Sequence, residues 1–195
     1  IMGLTDQFSG LIYDKDGALE LGKSVSCIIQ DFSQYEMTIR ENIEMGDVDK
    51  SFTDDEIVDL LEKVGLKEYV LSLVQGIDTP LGQLDKGIEL SKGQWQRLAI
   101  ARLLANPKTT VWLLDEPTAY LDPMSEIDLY NMIYQLSGSR TVIFISHRLG
   151  FAKKADRILV FDNGHVVEEG KHEKLLNQRG IYADMYAKQS AWYVN

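Results

Sequence analysis

The chain has 195 residues, 45% of them hydrophobic and 26% charged, with a net charge of −10 at pH 7. That is material for one large domain, or one and a half, with ample residues for a core. The acidic balance argues against a nucleic-acid-binding face, no apolar run approaches the ~18 residues of a membrane span, and the lone Cys27 cannot close an internal disulfide. Cys27 reads as a small buried hydrophobe in a reducing setting.

In chain order, "IMGLTDQFSG" (1–10) reads as the end of a helix that begins before Ile1, so further chain is expected upstream. "IYDKDG" is a short strand ending in a turn. "GALELGKS" (17–24) matches G-x-x-x-x-G-K-[ST], the phosphate-binding loop of nucleotide-hydrolysing enzymes. Such a loop needs a helix starting at the Lys, with its N-terminus facing the anion. Here the next segment, "SVSCIIQ" (24–30), alternates and is β-branched, which predicts a strand. The match is therefore read as a decoy. "DFSQYEMTIRENIEMG" is loop-like, then weakly helical.

"SFTDDEIVDLLEKVGL" (51–66) is an amphipathic helix with a Thr53–Glu56 capping box and Gly65 as its stop. A short helix and a Gly/Pro-punctuated loop follow in "EYVLSLVQGIDTPLGQ". "LSKGQWQRLAIARLLANP" (90–107) is another capped helix, with Ser91 and Gln94 as the box and Asn106-Pro107 as terminator. From there short apolar strands alternate with helices: "TTVWLLD", "DPMSEIDLYNMIYQL", "RTVIFIS", "ADRILVFDNGHVVEEG". This pattern predicts a parallel sheet with crossover connections. "FDNGHV" carries an Asn-Gly hairpin turn, which predicts that the sheet ends in an antiparallel pair. A helical insert, about 31 to 105, thus divides an α/β core.

The strongest chemical signal is "VWLLDEP". A strand apolar on both faces belongs mid-sheet, and open α/β sheets hold ligands at such C-terminal ends. Adjacent carboxylates there, Asp115 and Glu116, are costly unless they bind a cation or move a proton. The bland alternative is a strand-end pair turning toward Pro117. In "LSKGQ", the Ser91 cap leaves N–H groups facing outward, and Gly93 lets an anion approach the backbone. His147 ends "TVIFISH", Gln30 ends "CIIQ", and Asp122 is accounted for as an N-cap before Pro123 at N1. Taken singly, these last three are ordinary structural residues.

Their order along the chain resembles the nucleotide-binding domain of ATP-binding cassette (ABC) transporters, over essentially all 195 residues. The resemblance implies an α/β, P-loop NTPase-like ABC ATPase core, with an inserted α-helical subdomain and an antiparallel β portion. Residues 1–30 would be a remnant of the core and antiparallel portion, 31–105 the helical subdomain, and 106–195 the rest of the core. Gln30 matches the Q-loop glutamine, and Leu90, Ser91, Lys92, Gly93 and Gln94 match the signature. Asp115 matches the Walker B aspartate, Glu116 the catalytic glutamate, Asp122 the end of the D-loop and His147 the switch histidine. "TIRENI", "GIDTPLG", "SHRL" and "GIYADMYAKQ" look like the exporter branch. Two departures stand out: Lys92 where Gly is usual, and Tyr120 where a small residue is common.

By resemblance the cofactors are ATP and Mg²⁺, with Asp115 and Gln30 on the metal side. Glu116 would act as general base and His147 would contact the γ-phosphate. The partners would be transmembrane domains, on this polypeptide or another, and a second nucleotide-binding domain in a head-to-tail dimer. No nucleic acid is expected, and the place of action would be the cytoplasmic face of the membrane. The true phosphate loop and the adenine-stacking aromatic would lie upstream of Ile1. A non-catalytic cassette would ordinarily lose the Glu or the His, and both are here. A non-transport cassette ATPase would carry a long coiled-coil insert or lack membrane partners, and this insert is compact.

Overall fold

The computed structural model describes residues 13–14, 17–18, 25–30, 33–83, 87–118 and 121–192. They fall into two units, Ile1–Ile145 and Ser146–Asn195.

In the first unit, β1 (Tyr13–Asp14) and β2 (Gly17–Ala18) form an antiparallel pair. The first residues of the phosphate-loop look-alike therefore lie in that pair, and residues 19–24 are outside the described residues. Directly after Ser24 the chain is already strand, β3 (Val25–Ile28), where a phosphate loop would require a helix. β3 pairs parallel with β4 (Val111–Asp115), and β4 with β5 (Thr141–Ile145), in the order β3-β4-β5. The strand ending in the two carboxylates is thus the central one. Cys27 corrects one expectation: it is exposed. Among the described residues β3 pairs with β4 alone, and Cys27 lines an open pocket. Partial burial still pushes its thiol pKa up.

Among the described residues between β3 and β4 stand four α-helices: α1 (Ile39–Glu44), α2 (Asp54–Lys63), α3 (Lys67–Leu71) and α4 (Lys92–Ala105). Capping boxes start three of them. Thr38–Glu41, Thr53–Glu56 and Ser91–Gln94 each satisfy helix-end donors reciprocally. Gly65 stops α2's segment at φ +69°. Ile39, Ile43, Ile57, Leu61, Leu98 and Ile100 are buried in one core that continues to Trp112 and Leu114 of β4. α4 is buried along most of its length, and it joins the helical layer to the sheet. Gly46 is where α1's end meets α4; a Cβ there would lie 2.2 Å from the Arg102 carbonyl oxygen. α5 (Pro123–Ser137) then crosses from β4 to β5, capped by Asp122 with Pro123 at N1, as read from the sequence.

The second unit holds β6 (Ile158–Asp162) and β7 (His165–Gly170), paired antiparallel, then α6 (His172–Gln178) and α7 (Ile181–Trp192). Asn163 and Gly164 turn the hairpin at φ +47° and +78°, the expected Asn-Gly chemistry. Its core comprises Leu149, Val160, Leu175 and Tyr182. Both carboxylate oxygens of Glu168 accept from α7's first N–H groups, Oε1 from Ile181 at 2.6 Å and Oε2 from Tyr182 at 3.0 Å.

Candidate functional site

The site is built where parallel strands end. β4 is apolar through Leu114, with Val111, Trp112 and Leu114 buried, then delivers Asp115 and Glu116, both half-buried, at its C-terminal edge. Asp115 lies in register with Ile145 of β5. The Glu116 N–H donates to the Ile145 carbonyl at 2.8 Å, so the base of the turn is pinned to the neighbouring strand. Glu116 itself has φ +45°, a left-handed conformation that costs a residue with a Cβ about 1–2 kcal/mol. Strain of this kind persists where surrounding structure enforces it, and it marks functional turns.

Gln30 follows β3 on the adjacent strand. Its Nε2 donates to Glu116 Oε2 at 3.2 Å across 86 residues of sequence. Two residues assigned separate roles from their positions along the chain are therefore brought into direct contact.

Glu116 is followed by a tightly held segment. The Pro117 carbonyl accepts from Gln96 Nε2 at 2.6 Å, a buried bond reaching in from α4. Thr118 Oγ1 lies 3.2 Å from Tyr130 Oη and 3.5 Å from Glu126 Oε1. Thr118, Glu126 and Tyr130 are all buried, and the Tyr130 ring meets Phe144 of β5 edge-on at 5.4 Å. Sequence reasoning assigned no role to Gln96, Thr118, Glu126 or Tyr130. The one available signal was a Glu in the first turn after Asp122, four residues on.

The signature segment opens α4. Leu90 is buried and anchors it. Ser91 is the exposed N-cap: its Oγ accepts from Gln94 N–H at 3.2 Å, and its own N–H donates to Gln94 Oε1 at 2.8 Å. Lys92 at N1 is exposed. Gly93 is not required by the chain's own packing. Its φ is not positive, and an added Cβ would meet only Leu121 Cδ2 at 3.7 Å, an ordinary contact. A glycine free of internal demands at a helix N-terminus leaves backbone N–H groups open to an approach from outside.

Asp122 is exposed; Oδ1 accepts from Met124 N–H at 3.0 Å and Ser125 N–H at 3.1 Å. Hydrogen bonds from Ser125 hold its carboxyl below the ordinary carboxylate range. Ala119 and Tyr120 are outside the described residues. His147 belongs to the second unit, where it is exposed and its carbonyl accepts from the Gln189 side chain.

An open pocket of ≈ 290 Å³ lies between β3, the end of α1 and α4, and is lined by Cys27, Ile29, Tyr35, Met45 and Arg102 among others. Arg102 forms its wall: Nη1 donates to the Ser33 carbonyl at 2.9 Å, Nη2 to Asn42 Oδ1 at 3.1 Å, and the guanidinium stacks 4.9 Å from the Tyr35 ring centroid. Desolvation brings its pKa down to about 10.

On chemistry, these residues fit a magnesium-bound nucleotide. Asp115 offers a carboxylate at the end of a central parallel strand, suited to Mg²⁺ shared with phosphate oxygens and water. The Ser91 cap and Gly93 offer a hydroxyl and accessible N–H groups to an anion.

A family model described as ABC transporter matches residues 1–119. The chain is 39% identical over 165 residues to the nisin transport ATP-binding protein NisT of Lactococcus lactis subsp. lactis, spanning 84% of this chain and 27% of that protein. It is 41% identical over 175 residues to the subtilin transport ATP-binding protein SpaT of Bacillus subtilis, spanning 88% of this chain and 28% of that protein. A solved structure of a bacterial Atm1-family ABC exporter with ATP bound is similar at a TM-score of 0.75 and 34% identity, over 86% of this chain and 28% of that one. The chain thus spans about a quarter of the length of these relatives. No helix among the described residues is long and apolar enough to cross a membrane.

Proposed function

Because the chain belongs to the ABC transporter family, we propose that it forms part of an ATPase whose hydrolysis of ATP drives export through partner transmembrane domains. The observation that carries this reading is the Gln30–Glu116 contact at the end of the central strand, beside Asp115 and with Glu116 held at φ +45°.

Bound Mg²⁺·ATP supplies the γ-phosphoryl electrophile, with the metal neutralising charge on its oxygens. Asp115 would hold the metal. Glu116 Oε accepts the proton of the attacking water, a contribution of ~10²–10⁴-fold for a positioned base. Gln30 orients that carboxylate by donating to it, and would lie on the metal side of the bound nucleotide. The signature residues Leu90 to Gln94 serve a second copy of the domain: the buried Leu90 fixes the segment, and Ser91, Lys92 and Gly93 face the γ-phosphate held there. Asp122, which shapes the loop before α5, takes part in binding the nucleotide, and His147 contacts the γ-phosphate. Residues 31–105 act as the helical subdomain, through which Gln30 relays to the membrane partner. The place of action is the cytoplasmic face of the membrane.

Glu116→Gln in the complete polypeptide tests the reading. The amide keeps the shape and loses the base, so nucleotide binding is expected to persist while steady-state phosphate release falls at least about 10²-fold. Turnover near the wild-type rate would remove Glu116 from the role of base.

A further inference from the structure

Gln96 sits on the buried face of α4, five residues after the Ser91 cap, and is 3% exposed. Its Nε2 donates to the Pro117 carbonyl at 2.6 Å, and its Oε1 has no hydrogen-bond partner among the described residues. A buried amide that satisfies only one of its two polar ends is a poor core residue; an apolar side chain of the same length would fill the space without the unpaired acceptor. The bond it does make falls on the peptide directly after Glu116.

That turn is held from three sides. β5 grips the Glu116 N–H through the Ile145 carbonyl, α5 grips Thr118 through Tyr130, and α4 grips the Pro117 carbonyl through Gln96. Glu116 at φ +45° cannot rest in its preferred backbone region, so the grips must hold it there. Of the three, only the Gln96 bond comes from the helix that begins at the signature segment.

We propose that Gln96 is a positioning residue for ATP hydrolysis: its amide holds the Pro117 carbonyl and so fixes the strained Glu116 turn to the helix that starts at Ser91. This rests on the reading of Glu116 as the base. A displacement at the N-terminus of α4 is then carried rigidly to the backbone of the base. A base misplaced by 1 Å costs up to ~10²-fold in rate without loss of substrate binding.

The test uses Gln96→Met, which keeps length and removes the donor, and Gln96→Asn, whose donor falls short of Pro117. Both are made in the complete polypeptide assembled with its partner domains, with Glu116→Gln in parallel. The expected result is a kcat at least about tenfold lower, with the KM for ATP within about twofold. The thermal midpoint should move by no more than about 4 °C. In the nucleotide-free protein, exchange of the Glu116 amide should quicken, since its bond to Ile145 loses support. Wild-type kcat in either folded variant overturns the proposal. So does a kcat loss matched by a loss of folded protein in both variants, the mark of a purely structural role. Normal turnover in Glu116→Gln would instead bring down the underlying reading of the base, whatever the Gln96 variants do.

Discussion

At φ +45° Glu116 spends about 1–2 kcal/mol that a residue in the ordinary backbone regions would not. Asn adopts this left-handed conformation more readily. Glu116→Asn is therefore expected to be at least as stable as the native chain, by up to ~1 kcal/mol or roughly 2–4 °C in a protein of this size, while turnover disappears. Calorimetry beside a phosphate-release assay checks both halves; a midpoint several degrees lower would mean the turn is not strained. Asp115, Glu116 and Ser91 are legible in sequence because a polar residue at the end of an apolar strand or the start of a periodic helix breaks a pattern. Gln96 is not legible. In "QWQR" the glutamines at 94 and 96 look alike, and only folding turns one outward to cap the helix and the other inward to Pro117. The Gln30–Glu116 contact is equally invisible until β3 and β4 are placed side by side in register.

Helix starts carry a second, separable physics. Thr38 N–H donates to Glu41 Oε2 at 2.8 Å and Thr53 N–H to Glu56 Oε2 at 3.0 Å, whereas the box opening α4 uses the neutral Gln94. The bonds from Thr38 hold the Glu41 carboxyl below its ordinary 4.5. For Glu56 the Lys50 ammonium is the larger cause and the Thr53 N–H the next. A folded-state pKa below the unfolded value means the folded chain binds fewer protons, so the support is present above about pH 4.5 and lost as pH falls through the folded values. Amide exchange compared at about pH 6 and about pH 3 should show the starts of α1 and α2 losing protection, with the start of α4 less affected. Replacing Glu41 and Glu56 by Gln should flatten that difference; an unchanged acid response would assign it to other groups. The Thr53 and Ser91 boxes were readable because long periodic helices follow them. The Thr38 box was not, because six-residue α1 is too short to establish a period. Cys27 misled for a similar reason: alternation signals a strand but not which of its two faces is covered.

At the scale of the molecule, the alternation of strands and helices after residue 105 was enough to predict the parallel sheet, and the Asn-Gly pair predicted the β6–β7 hairpin. What a single chain cannot display is a site divided between two copies. Ser91 opens α4 and Glu116 follows β4, joined through Gln96 and Pro117 within one unit, yet in the proposed head-to-tail dimer they act on different nucleotides. Ser91→Arg places a bulky cation at a helix N-terminus, where it opposes both packing and the helix dipole, so it should bind nucleotide and fail to close on a partner. Glu116→Gln keeps an intact signature and lacks the base. Each is expected to be inactive alone. In a mixed dimer, one site combines the Glu116 of the first variant with the Ser91 of the second, and the other site lacks both. Partial ATPase activity in the mixture, absent from either parent, is the expected outcome. Full activity of Ser91→Arg by itself as a monomer would sink the shared site, because the signature would then have no second copy to serve.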